Sequence, residues 1–453
     1  MLVLSVLVSC TRDDGFSFKQ YDKTSAAGSG TVNTPSDAEN SSRVSQRRRN
    51  VTLIYSAGYN SLASDLDDDI RELHEGFVPE NTNRGEHVLL VYSKLTRRSE
   101  RGYCLEDYNT PTESALFRIY KESGEVVHDT LKVWGTDVDA CNPQTLREVL
   151  QLTSELFPAK GYGMVFSSHA TGWLPSGYYS DPSKYDRQYY DDTSFWISSS
   201  ARRMAQTEFP PIIPYLPVKS LGQDNHPGNS VEIELDSFAN AIPMHLDYLL
   251  IDACLSGCVE VAWQFRGKAD VVGFSPTEVL TNGFNYKTIA RHLVQNTPDP
   301  VQVCKDYFDY YDTYLETHPG DSEMRRSATI SVVDTRKMDV LADVCKTLFE
   351  KYREQINTLS GSRVQGYFQY NRHFFYDLKD VLLKAGITAE EEAALDAALS
   401  QCIIYKAATE KFISIKINTF SGFSMYLPSM GSDFLDGYYK AHIAWNKDTE
   451  LVK

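Results

Sequence analysis

Residues 248–258 read YLLIDACLSGC. Four apolar or aromatic positions run together, and then an aspartate, Asp252, and a cysteine, Cys254, follow. A short unbroken apolar run ending near a glycine is how a strand buried on both faces reads. Such strands belong to sheets covered by helices on both sides. In open α/β sheets, ligand sites form outside the carboxyl ends of the strands. An acid and a thiol at that end therefore mark a place to look for chemistry.

Outward from this stretch the same texture repeats. Apolar strand patterns fall at 51–55 (VTLIY), 87–92 (HVLLVY), 115–120, 162–166 (YGMVF) and 269–274 (ADVVGF), with a short extended piece at 131–134. Helical patterns lie between them at 64–73, 143–157, 235–241 and 259–265, the second with Asn142 as cap and Pro143 at its first position. Strand and helix in turn predict an α/β domain over residues 51–295, with a mostly parallel sheet and helices on both faces. Residues 175–230 break the rhythm with a Tyr-, Ser-, Pro- and Asp-rich segment, read as a long insertion. Beyond 296 the helices lengthen, at 300–315, 338–356 and 390–405. The last opens on a capping box of Thr388 and Glu391. Strands are expected at 328–333, 412–417 and 424–427, so residues 296–453 read as a C-terminal α+β domain.

The net charge of -16 over 453 residues argues against nucleic acid as a partner. The apolar opening MLVLSVLVS, followed by Cys10, is similar to a bacterial lipoprotein signal, which implies lipid attachment at Cys10 and export to the outer membrane, the cell surface or the medium. No positive segment precedes it. Residues 23–50 are small and polar and read as a disordered tether, so 1–50 form a signal and linker. Seven cysteines remain after Cys10, scattered and odd in number, which is no disulfide framework.

His169 also stands just past a strand's carboxyl end. If its strand neighbours that of Cys254, imidazole and thiol share one crevice, and the pair can attack an amide carbonyl. A helix expected directly after Cys254 would favour the thiolate. A cysteine in an apolar setting is nevertheless more often inert core than nucleophile. The CLSGC spacing is CxxxC with no second ligand pair, a poor metal or redox motif, and Cys258 reads as a buried helix thiol.

Two blocks carry a resemblance: FSSHATGW at 166–173 and IDACLSGCVE at 251–260. Together they resemble the clostripain-like cysteine peptidases, which share the caspase-type fold with gingipains and legumains. LIYSAGYNSLASDLDDDI, FSPTEVLTNGFNY and SGFSMYLPS add support in the same order along the chain. The resemblance implies a cysteine endopeptidase acting on protein or peptide substrates, with no cofactor required. It implies Cys254 as nucleophile and His169 as general base and acid. The backbone N–H groups of Ala170 and Cys254 would form the oxyanion hole, where relatives usually have glycine at the first position; the hole survives Ala170 if its φ is negative. Asp252 would line the pocket for a basic side chain preceding the scissile bond. Relatives often carry a second acid where this chain has Asn282, which implies a weaker preference for Arg or Lys. Trp173 is a candidate groove wall. Maturation by internal cleavage is implied within the insertion, which offers Lys184, Arg187, Arg202, Arg203 and Lys219. Calcium, to which some relatives respond, has no motif here: the run DLDDD at 65–69 lacks an EF-hand's glycine and terminal Glu and reads as a solvated helix start. Two rival readings stay open, a binding protein on a decayed peptidase scaffold and a peptidase cleaving after neutral residues.

Overall fold

A computed structural model describes residues 49–81, 87–96, 110–178, 185, 204, 220–226, 229–369 and 373–453. Nine strands form one central sheet. In chain order these are β1 (Asn50–Gly58), β2 (His87–Leu95), β3 (Ala115–Glu122), β4 (Glu125–Val133) and β5 (Gly161–Ser167). A side hairpin of β6 (Leu221–His226) and β7 (Asn229–Ile233) comes next, followed by β8 (Leu246–Asp252), β9 (Ala269–Phe274) and β10 (Thr329–Asp334). A two-residue strand, β11 (Tyr376–Asp377), precedes β12 (Ile403–Ala408). The sheet order is β12-β10-β9-β8-β5-β1-β2-β3-β4. The five central strands, β9-β8-β5-β1-β2, run parallel. Both edges are antiparallel.

Burial follows from this layout. Every residue of β1 is buried, as expected of a central parallel strand covered on both faces. The edge strand β4 has no buried residue. It hairpins with β3 through Ser123 and Gly124, both with positive φ, which matches the right-handed twist of the paired strands.

The helices expected from periodicity form, and others that it did not announce join them. They are α1 (Ala63–Glu75), α2 (Pro143–Leu156), α3 (Leu235–Ala241), α4 (Val259–Gln264), α5 (Tyr286–Leu293), α6 (Pro300–Asp312), α7 (Asp339–Lys351), α8 (Leu378–Ala385), α9 (Ala389–Cys402), α10 (Asp433–His442) and α11 (Ala444–Thr449). The Asn142 side chain accepts from the Gln144 N–H, and the capping box of Thr388 and Glu391 closes in both directions. No helix among the described residues is long and apolar enough to cross a membrane.

Three expectations change. The expected strands past 296 divide: β10 pairs with β9 and β12 with β10, completing the central sheet's edge, while Tyr376–Asp377 pairs with Ser424–Met425 and Lys411–Phe412 with Ile415–Lys416 in two small sheets of their own. The helix expected to 405 stops at Cys402, and its last residues belong to β12, where Ile403-Ile404-Tyr405 favours the pleated form. The insertion's end is not irregular: β6 and β7 are a hairpin whose polar sequence hides its strand character.

Candidate active site

The register of the two central strands decides the site. Ser167 of β5 pairs with Asp252 of β8. His169 and Cys254 each lie two residues beyond that pair, so they leave the same edge of the sheet side by side. Both are almost fully buried.

Glycine lets the two exits approach. Gly172 has a φ of 60°, and a Cβ there would fall 2.6 Å from the Leu255 carbonyl oxygen, so only glycine brings the histidine loop against the cysteine loop. Leu255 itself holds a φ of 57°. A bulky residue in the left-handed region costs energy and clusters at functional sites. Its backbone N–H donates to Thr277 O at 2.8 Å. The chain reaches α4 only at Val259, and Leu255 has already turned it away. The expected helix dipole at Cys254 is therefore absent. The thiol lies instead against the Val279 main chain: the Val279 N–H donates to Cys254 Sγ at 3.3 Å, and Sγ lies 3.7 Å from Val279 O.

The turn between β1 and α1 braces the histidine. Ser61 Oγ lies 2.9 Å from His169 Nε2. Asn60, fully buried, donates to Ala57 O and Gln223 O and accepts from the Leu62 N–H. This ties the turn to β1 and β6. Sequence reasoning missed both residues, although they stand in the quoted stretch LIYSAGYNSLA; a polar pair directly after a buried strand was the available signal. Ala170 has no positive φ, so alanine there carries no strain. It faces Leu221 in an isolated antiparallel bridge whose hydrogen bonds are made by its neighbours (Gly222 N to His169 O and Thr171 N to Ser220 O). The Ala170 N–H therefore points away from β6.

Asp252 is 5% exposed. Its Oδ2 accepts from the Phe284 N–H at 3.1 Å and from the Tyr286 hydroxyl at 3.0 Å. Gly283 makes this possible, since its φ is 57° and a Cβ would fall 2.4 Å from Oδ2. The other oxygen, Oδ1, is buried with no hydrogen-bond partner among the described residues. Burial pushes the Asp252 carboxyl up to about 6, against the pull of those two donors. A small recess lies in front of it, lined by Asp252, Cys254, Asp69, Leu66, Val279 and Gly283 among others.

Other candidates fall elsewhere. Asn282 is exposed, and its neighbours Thr281 and Gly283 line the recess where it does not. Trp173 is no groove wall: it is wholly buried against Tyr426 and Tyr439, with ring centroids 4.8 and 5.0 Å away. It anchors the C-terminal segment, which is also clasped to the cysteine loop by Ser424 N to Gly257 O at 2.9 Å. Buried Glu260 completes the clasp by accepting from Tyr426 N and the Tyr439 hydroxyl. Cys258 caps α4, and burial holds its thiol well above the usual range. The described cysteines are all buried free thiols. The DLDDD run is only partly solvated: Asp67 and Asp68 pair with Arg71 at the surface, whereas Asp69 is buried in the recess. Among the described residues no group of three or more His, Cys, Asp or Glu is arranged to hold a metal ion. Cys10, Lys184, Arg187, Arg202, Arg203 and Lys219 lie outside the described residues.

The chain was compared with known proteins. No curated protein matches it. Among solved structures it is similar to an inactive zymogen C11 protease from Parabacteroides distasonis, with a TM-score of 0.67 and 26% identity over 88% of this chain and 97% of that one. It also resembles, in fold, a secreted C11 cysteine protease from Bacteroides thetaiotaomicron in complex with an irreversible peptide inhibitor, with a TM-score of 0.66 and 20% identity over 88% and 99% of the two chains. The clostripain family, Peptidase_C11, matches residues 54–194 and 215–451, well over half of the chain and both strand ends of the site. The chain belongs to the clostripain family of cysteine peptidases.

Proposed function

We propose that this chain is an endopeptidase that uses Cys254 and His169 as a catalytic dyad and cleaves after basic residues. The observation that carries this reading is the shared register of β5 and β8, which delivers a histidine, a thiol and an unneutralised acid to one sheet edge. Substrate lies across the crevice with its basic side chain in the recess before Asp252. Cys254 Sγ loses its proton to His169 and attacks the scissile carbonyl carbon, so a C–S bond forms as the C=O π pair moves to oxygen. The N–H groups of Ala170 and Cys254 donate to that oxyanion, a contact worth roughly 3–4 kcal/mol per donor in well-studied hydrolases. The oxyanion then collapses, the C–N bond breaks, and His169 protonates the departing amine. Water, deprotonated by the same imidazole, hydrolyses the thioester and returns the thiol. Ser61 is a positioning residue that holds the imidazole edge. No step calls for a metal or an organic cofactor.

The lipoprotein-like opening sequence supports export, and the similar B. thetaiotaomicron protease is described as secreted. Lipid attachment at Cys10 belongs to the same proposal, and globomycin-sensitive membrane fractionation tests it. The test of the main reading is a substrate-library profile of wild type beside Cys254→Ala. Cleavage after Arg or Lys that vanishes in the variant supports it. A profile centred on neutral residues, or equal turnover in the variant, contradicts it.

A further inference from the structure

The recess before Asp252 contains a second acid that motif reasoning does not reveal. Asp69 stands on α1, and the register of that helix explains its burial. Leu62, Leu66, Asp69 and Leu73 follow at intervals of four, three and four, so they share one helical face. That face turns inward: all four residues are buried. The aspartate therefore occupies a position where the pattern calls for an apolar side chain. It is 7% exposed and lines the same recess as Asp252 and Cys254. No cation pairs with either carboxyl among the described residues, and Asp252, which lines the same recess, has its Oδ1 buried with no hydrogen-bond partner among them.

Two buried carboxyls in one recess resist ionising together, so without a cation a proton relieves the cost, and an entering cation favours the charged form of both. Burial and the nearby charge of Asp252 hold the Asp69 carboxyl well above its ordinary range. The cations of this region do not resolve the conflict: Arg71 pairs with Asp67 and Asp68, and Lys287 pairs with Glu75, all at the surface.

We propose that Asp69 is a specificity-determining residue that joins Asp252 in a two-carboxylate pocket for the cationic side chain preceding the scissile bond. This rests on the proposed basic preference and deepens it. Asn282, exposed and outside the recess, contributes no charge there. The second acid instead comes from α1. A guanidinium or ammonium entering the recess meets two carboxyls and, among the described residues, displaces no resident cation.

The experiment compares wild type, Asp69→Asn, Asp252→Asn and Asp68→Asn on matched peptides with Arg, Lys or norleucine before the cleaved bond. The readout is the ratio of kcat/KM for Arg over norleucine. Asp69→Asn is expected to lower that ratio by roughly tenfold or more, since a buried charge loses one of its partners. Asp68→Asn, which removes an exposed carboxylate paired with Arg71, should keep the wild-type ratio. Melting temperature gives a second readout. Benzamidine, a small guanidinium-like cation, should raise it in wild type and do so much less in Asp69→Asn. Without ligand, Asp69→Asn should melt at or above wild type, because an unpaired buried carboxylate becomes a neutral amide. If Asp252→Asn loses the Arg preference while Asp69→Asn stays within twofold of wild type, Asp69 has no such role and the basic pocket stands. If neither variant changes the ratio or the benzamidine shift, the basic pocket itself fails and this inference with it.

Discussion

Two strand-end aspartates stand at opposite ends of the same sheet. Asp252 closes β8 on the rim with Cys254; Asp334 closes β10, which runs antiparallel to β9 and so ends at the other rim. Both are at least 95% buried. Asp334 is fully answered: Arg336 donates to both of its oxygens, at 2.8 and 3.0 Å, and Lys337 lies 3.5 Å away. The Arg336 hydrogen bonds hold its carboxyl below the usual range. Asp252 receives two neutral donors on one oxygen and, among the described residues, nothing on the other, and burial pushes it up to about 6. One acid belongs to the fold's own accounts of charge. The other is left open, which is what a site for an external cation requires.

Substituting the two acids sharpens this contrast most. Asp252→Asn should cost cleavage after Arg or Lys on the order of 3–5 kcal/mol, the cost of a buried ion pair losing a partner. That corresponds to a loss of a hundredfold or more in kcat/KM. The fold should survive, since an amide still accepts from Phe284 N and the Tyr286 hydroxyl. Asp334→Asn should do the reverse: cleavage unchanged, stability lower by about 1 kcal/mol, small because Arg336 and Lys337 are themselves exposed. Urea melts and steady-state assays on both variants check the pair. A drop in activity at Asp334 equal to that at Asp252 would break the comparison.

pH separates them further. Asp252 has a raised folded pKa, so its contribution to stability is fully present below the unfolded value near 4 and is lost as pH rises through about 6. Asp334 has a depressed one, so its contribution is present above that unfolded value and is lost as pH falls through the lower folded value. Stability profiles of each Asn variant, subtracted from wild type, should slope in opposite directions. Binding follows the charge: affinity for an Arg side chain should rise as pH passes about 6, where Asp252 ionises. Parallel slopes would contradict the assignment. The smallest effect is expected at Asn282→Asp. An exposed residue outside the recess should leave the Arg preference within about twofold, because solvent screens charge there.

The sequence carries the rim of the candidate site well, for a physical reason. Parallel strands buried on both faces leave unbroken apolar runs, so a His or an Asp-x-Cys at their ends stands out. Ser61 was hidden because a serine beyond a strand looks like ordinary turn chemistry. Asp69 was hidden because it sits in a run of acids that mostly face water; only the helical spacing from Leu62, Leu66 and Leu73 separates it from Asp67 and Asp68. The β6–β7 hairpin was obscured by LGQDNH, whose polar side chains find tertiary partners: the Cys141 N–H donates to the Asp224 carboxyl and Asp139 pairs with His226. Trp173 illustrates the opposite failure. Its place beside the histidine in sequence suggested the groove, whereas packing against Tyr426 and Tyr439 took it inside.

The central claim is that Cys254 is the nucleophile of a pocket that selects a cation. The most direct measurement is covalent labelling of wild type with a peptidyl electrophile carrying arginine next to its reactive carbon, alongside its norleucine counterpart, followed by intact mass and peptide mapping. One adduct, on Cys254, formed faster with the arginine compound and absent from Cys254→Ala, is the predicted result. An adduct on another cysteine, or equal labelling of the Cys254→Ala protein, would contradict it.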